Sequence, residues 1–80
     1  MGSYRLVFKR SVAKDLRDIP DEDVTRIVER IKSLADHPRP AGSEKMSNQD
    51  RYRIRHGAYR IIYAVDDEEL VVLVVKIGHR

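Results

Sequence analysis

No cysteine occurs among the 80 residues. That absence excludes a disulfide framework and a thiolate metal site, and it suits a reducing cytosol. No apolar run approaches the ~18 residues of a membrane span, and Met1-Gly2-Ser3 lacks the apolar core of a signal peptide. The expected location is therefore cytoplasmic, with no membrane association. The chain also lacks a glycine-rich phosphate loop, a carboxylate cluster of metal-binding type and a serine triad, so neither a cofactor nor a metal is expected. It shows no internal repeat, low-complexity segment or linker. Eighty residues then make a single domain, 1–80, whose core must be economical because a chain this short buries only ~60–65% of its unfolded surface.

The charge is modest in sum, +3, but unevenly placed. Residues 43–65 carry five basic residues (Lys45, Arg51, Arg53, Arg55, Arg60) against Glu44 and Asp50. Residues 20–36 carry three (Arg26, Arg30, Lys32) against five acidic ones (Asp21, Glu22, Asp23, Glu29, Asp36). A basic face backed by an acidic helix is the distribution a polyanion binder would show.

Tyr4 to Phe8 reads as a first strand. Ser11 is a candidate N-cap for a helix to about Asp18, with Val12, Ala13, Leu16 and Ile19 on one side. Pro20 interrupts. Asp21 then caps a second helix, with Glu22 and Asp23 in the first turn, where carboxylates suit the helix dipole. Val24, Ile27, Val28, Ile31, Leu34 and Ala35 give it one apolar stripe. His37-Pro38 ends it. Residues 37–50 read as one long loop, of a length often tied to function. Leu70 to Val75 is an unbroken apolar run, short enough for a strand covered on both faces. The expected fold is α+β, β-α-α-β-β-β: a twisted, mostly antiparallel sheet with a helical pair packed on one face.

Between these lies Tyr52-Arg53-Ile54-Arg55-His56-Gly57-Ala58-Tyr59-Arg60-Ile61-Ile62-Tyr63, two alternating strands around a tight turn. With His56 and Gly57 as the loop, Arg53 stands opposite Arg60. Tyr52, Ile54, Tyr59, Ile61 and Tyr63 share one face, and Arg53, Arg55 and Arg60 share the other. Like charges across a ladder destabilise it, so an arginine face of this kind points to an anionic ligand, phosphate above all. The tyrosines fall on the apolar face and read as core. Whether Val72 and Val74 join them depends on the length of the loop at 66–69, which pattern alone leaves open.

Over its whole length the chain resembles the RelE/ParE toxin superfamily. The features that carry the resemblance are the early strand, the two helices, a proline-containing loop, Glu44-Lys45-Met46, then Tyr-Arg-Ile-Arg, Gly-Ala-Tyr-Arg-Ile-Ile-Tyr and a terminal Gly78-His79-Arg80. The resemblance implies a small toxin of a type II toxin–antitoxin pair, silenced by a cognate antitoxin protein, the complex binding operator DNA through the antitoxin. RelE-like members cleave mRNA, usually on the ribosome. ParE-like members share the fold but inhibit DNA gyrase and are not nucleases. In the RelE branch, basic residues occupy positions matching Arg53, Arg55, Arg60 and Arg80, with Lys45 a looser match in the loop. Several relatives have lysine where Arg55 stands here, and a tyrosine beyond the position of Arg80.

The chemistry so implied begins with attack of a ribose 2′-hydroxyl on the adjacent phosphorus. It needs a proton acceptor, stabilisation of the phosphorane charge and a proton for the 5′-oxygen. Guanidiniums fit the second task, because their planar forks bind phosphate oxygens and stay charged. The expected catalytic set is Arg53, Arg55, Arg60, His79 and Arg80, with His79 the best titratable candidate for the base. Lys45, Arg51 and His56 are the expected RNA-binding residues. The leading expectation is a metal-independent mRNA endoribonuclease, and the alternative is a gyrase-binding toxin.

Overall fold

The computed structural model describes residues 3–46 and 50–79. The elements are β1 (Arg5–Phe8), α1 (Arg10–Arg17), α2 (Asp21–Ser33), β2 (Glu44–Lys45), β3 (Arg51–His56), β4 (Tyr59–Asp66) and β5 (Val71–His79). They form a five-stranded sheet in the order β1-β5-β4-β3-β2. β1 runs parallel to β5, and every other pairing is antiparallel. The α+β reading holds, with one more strand than expected. β2 lies in the segment read as an unbroken loop. A two-residue strand leaves no periodic trace in sequence, and it exists because β3 offers it an open edge.

The helix termini differ slightly from expectation. α1 begins at Arg10, so Ser11 is inside the helix rather than capping it, and Lys9 occupies the cap position without a side-chain hydrogen bond. α2 begins at Asp21, which is its first residue and not its cap; Asp21, Glu22 and Asp23 still fill the first turn, where the dipole favours carboxylates. Ile27, Ile31 and Leu34 of the apolar stripe are fully buried. They meet Val12 and Ile19 from the first helical segment and Ile54, Ile61, Tyr63, Val72, Val74 and Ile77 from the sheet. Each such side chain contributes roughly 1.5–3 kcal/mol by leaving water. No described helix is long and apolar enough to cross a membrane.

The hairpin turn sits one residue later than the sequence reading placed it. Arg55 pairs with Arg60, His56 with Tyr59 and Arg53 with Ile62. The loop residues are Gly57 and Ala58, with a φ of +60° at Gly57, the first-position glycine of a type II′ turn. Moving the turn by one residue displaces each pair by two positions. Every side chain therefore keeps its expected face, but the like-charge pair becomes Arg55–Arg60.

β5 settles the question left by the 66–69 loop. Val72 pairs with Val65 and Val74 with Tyr63, so both join the tyrosine face. A bulge follows. Ile62 pairs with Lys76 and Tyr63 with Val74, which leaves Val75 without an opposing residue. The bulge reverses the alternation, placing Ile77 in the core and Lys76 outside. Beyond Phe8, where β1 ends, α1 covers this edge. The Lys9 N–H donates to the Val74 carbonyl at 2.9 Å, and the Ile77 N–H donates to Asp15 Oδ2 at 3.1 Å.

Candidate nucleic-acid interface

Alternation along β3 and β4 turns Arg51, Arg53, Arg55 and Arg60 to the sheet face away from the core. Arg55 is exposed, while Arg51, Arg53 and Arg60 are half-buried. Arg60 stands opposite Arg55 on one side and Gly78 on the other. Glycine leaves this position without a side chain. The Arg60 Nε is buried and has no hydrogen-bond partner. A desolvated donor left unpaired costs about 1–3 kcal/mol, so this nitrogen is ready for an acceptor from outside. Among the described residues no carboxylate pairs with Arg55 or Arg60.

Arg53 differs. Its Nη2 donates to Glu44 Oε2 at 2.9 Å, from the position directly across the β2–β3 ladder. Both side chains retain solvent contact, 31% for Arg53 and 63% for Glu44, so the pair is weak and an incoming phosphate can compete for it. Sequence reasoning missed Glu44 as a site residue. The signal was its place in Glu44-Lys45-Met46, but without β2 nothing brought it opposite Arg53.

The other expected site residues are distributed as follows. Lys45 is exposed on β2 and lines two hollows, one of about 370 Å³ with Glu44, Met46 and Arg53, the other with Arg39, Asp50 and Tyr52. It can thus reach either side of the edge strand. His56 and His79 pair with Tyr59 from either side, and register places all three on the tyrosine face. The His79 ring meets the Tyr59 ring edge-on at 5.2 Å and 80°. His79 also lines a hollow with Asp15, Asp18 and Ile19 from the α1 region. Register therefore gathers the arginines on one face and sets both histidines on the other, His56 by its even position on β3 and His79 through the β5 bulge. Arg80 lies outside the described residues.

The tyrosine face is tied down by hydroxyl contacts. Tyr63 is fully buried and donates to the Pro38 carbonyl at 2.7 Å; burial is the main cause that raises its pKa. Tyr52 stacks on it, with centroids 5.8 Å apart and 23° between planes. Tyr59 donates to Asp23 Oδ2 of α2 at 3.3 Å, and its pKa is raised, first by desolvation and then by that carboxylate. The tyrosines anchor the sheet to the helices and the crossing segment.

This fold has known counterparts. The mRNA interferase toxin RelE of Escherichia coli K12 is 28% identical over 80 residues, spanning 98% of this chain and 84% of that protein. The toxin–antitoxin complex RelBE2 from Mycobacterium tuberculosis contains a chain that superimposes with a TM-score of 0.86 at 25% identity, covering 98% of this chain and 99% of that one. The archaeal RelE–RelB complex from Pyrococcus horikoshii gives 0.84 at 28% identity, covering 98% and 96%. Residues 6–80 match the family described as the ParE toxin of type II toxin–antitoxin systems, parDE. With nearly the whole sequence inside that family and RelE toxins as its structural neighbours, the chain belongs to the ParE toxin family within the RelE/ParE superfamily and is a RelE-like toxin of a type II toxin–antitoxin system.

Proposed function

We propose that this toxin is an endoribonuclease that cleaves mRNA held on the ribosome. The observation that carries the reading is the convergence of Arg53, Arg55 and Arg60 on one open sheet face, with a buried, unpartnered guanidinium nitrogen on Arg60. A fold that sets Arg55 beside Arg60 accepts repulsion that an anionic ligand would relieve. The scissile phosphate is held by these forks. As the 2′-oxygen attacks phosphorus, charge builds on the non-bridging oxygens and the guanidiniums stabilise it in place. Glu44 is the carboxylate that meets Arg53 on this face. Once phosphate draws Arg53 away, it is free to take the 2′-hydroxyl proton. The P–O5′ bond breaks, the departing 5′-oxygen takes a proton from solvent, and the products are a 2′,3′-cyclic phosphate and a 5′-hydroxyl. Arg80 is assigned to the leaving-group side, while Arg51, Lys45 and His56 hold flanking nucleotides. His79, packed against Tyr59, has the weaker claim to the base.

The partner that silences this activity is a cognate antitoxin protein, and the compartment is the cytoplasm. Structural relatives were solved as complexes of RelE with RelB, and operator DNA would be bound through the antitoxin. A second reading, a toxin that poisons DNA gyrase, is favoured by one observation: the matching family is that of ParE toxins.

Inducing the chain without antitoxin and mapping mRNA 5′ ends separates the two. New ends within coding frames, with cleavage lowered ~10²–10³-fold by Arg60→Ala, support the nuclease. Unchanged mRNA ends together with trapped gyrase–DNA complexes refute it.

A further inference from the structure

At the end of the sheet away from the β3–β4 turn, four polar side chains from four separate segments meet. Arg39, in the segment between α2 and β2, donates from Nη1 and Nη2 to the two oxygens of Asp67 at 3.2 and 2.7 Å. Its Nε donates to the Tyr52 hydroxyl on β3 at 2.8 Å. Tyr4, just before β1, donates its hydroxyl to Asp67 Oδ1 at 2.7 Å, and Asp67 itself lies in the β4–β5 turn. Isolated exposed ion pairs contribute little, but a bidentate fork inside a network is the exception. The titrations agree with this geometry. Asp67 is held below the usual carboxylate value, first by the hydrogen bond from Arg39 and then by that from Tyr4. Tyr4 is raised, chiefly by its hydrogen bond to Asp67.

Three of the four members sit in or beside long ladders. The exception is Arg39. The segment it belongs to leads into β2, which contributes only Glu44 and Lys45 to the ladder, with one further bond from the Met46 N–H to the Arg51 carbonyl at 2.8 Å. So short a strand cannot fix its own position. Other anchors on this segment are the Tyr63 hydroxyl at Pro38 and a turn in which Ser43 binds back to the Pro40 carbonyl. Neither reaches the β4–β5 turn, as Arg39 does.

We propose that Arg39 is a positioning residue: through Asp67, Tyr4 and Tyr52 it holds the segment 37–46 in place, so that β2 stays on β3 and Glu44 stays against Arg53. Arg39 itself lines a hollow of about 550 Å³ with Lys45, Asp50, Tyr52 and Asp67, and its hydrogen bonds go to Tyr52 and Asp67. Its effect on RNA cleavage rests on the nuclease reading above, whereas its anchoring of β2 does not.

Two measurements on the full chain test this. In Arg39→Ala, amide exchange at Met46 should speed up ~10-fold or more, while Ile61 in the central ladder changes less than about twofold. Asp67→Asn should act alike, and the double variant should add little, since both break one network. In RNA cleavage, kcat should fall ~10–100-fold with KM within about twofold, because substrate still meets Arg55 and Arg60 while Glu44 is misplaced. Arg39→Lys, which keeps the charge but loses the fork, should not restore it. Unchanged Met46 exchange overturns the proposal, as does an equal acceleration across the whole sheet. A wild-type chain that cleaves no RNA overturns the nuclease reading instead, and the exchange result then decides the anchoring by itself.

Discussion

Replacing Arg55 with glutamine should make the protein more stable and less active. Arg55 and Arg60 face each other directly across the β3–β4 ladder, and like charges so placed cost about 0.2–1 kcal/mol. Unit charges roughly 7 Å apart in water repel by about 0.6 kcal/mol, within that range. Arg55 is exposed, which weakens the effect; the buried Nε of Arg60 strengthens it. Glutamine keeps a long polar side chain and deletes the charge. In a domain this small, 1 kcal/mol moves the melting midpoint by about 4–8 °C, so Arg55→Gln should raise it by about 1–8 °C. Thermal unfolding at low salt and at ~1 M salt isolates the cause, because a Debye length of ~3 Å at the higher concentration should erase most of the gain. The same variant should lose RNA cleavage by ~10²-fold or more. A melting midpoint that falls at low salt, or a gain that persists undiminished at ~1 M, refutes the argument that the site stores electrostatic repulsion.

Tyr63→Phe should lower stability by about 1–2 kcal/mol, since the Pro38 carbonyl loses its donor while the ring stays in the core; urea unfolding with an unchanged slope would confirm it, and a difference below about 0.3 kcal/mol would contradict it. The Asp67 network should fade in acid. Because the folded carboxyl titrates below its ordinary 3.8, its contribution is complete above the unfolded value and disappears as pH falls through the folded one. The gap in melting midpoint between wild type and Asp67→Asn should therefore be present at pH 7 and close toward pH 2. Tyr4 works in the opposite sense, its contribution being present below pH 10 and lost as pH rises through its raised folded value.

Much of the fold was legible because its signals are periodic. The stripe from Val24 to Leu34 and the alternation from Tyr52 to Tyr63 fixed the α2 helix and both hairpin faces, and the arginine face emerged from the second pattern alone. What escaped is what periodicity cannot carry. β2 is two residues long and depends on a neighbour's edge. The turn slipped by one residue because His56-Gly57 and Gly57-Ala58 are both glycine-containing pairs; the pairing of His56 with Tyr59 separates them. Glu44 went unnoticed as a site residue because its partnership with Arg53 exists only across that hidden strand. The side of the sheet that His79 faces was hidden for a subtler reason, since a bulge in an all-apolar run leaves no mark on the hydrophobic pattern.

That bulge has a consequence for how this protein can change. Val75 acts as a phase shifter: upstream and downstream of it, odd and even positions of β5 exchange roles. Were Val75 instead to pair with Ile62 in a regular ladder, the run Val71 to Val74 and the composition would be unchanged. Yet it would carry Lys76 toward the interior, expel Ile77, and put the Ile77 side chain where Gly78 now leaves room beside Arg60. Deleting Val75, by contrast, joins Val74 to Lys76 in unbroken alternation and keeps Lys76 opposite Ile62, Ile77 opposite Ile61 and Gly78 opposite Arg60, so this is the one position of the strand whose loss costs no side chain its face.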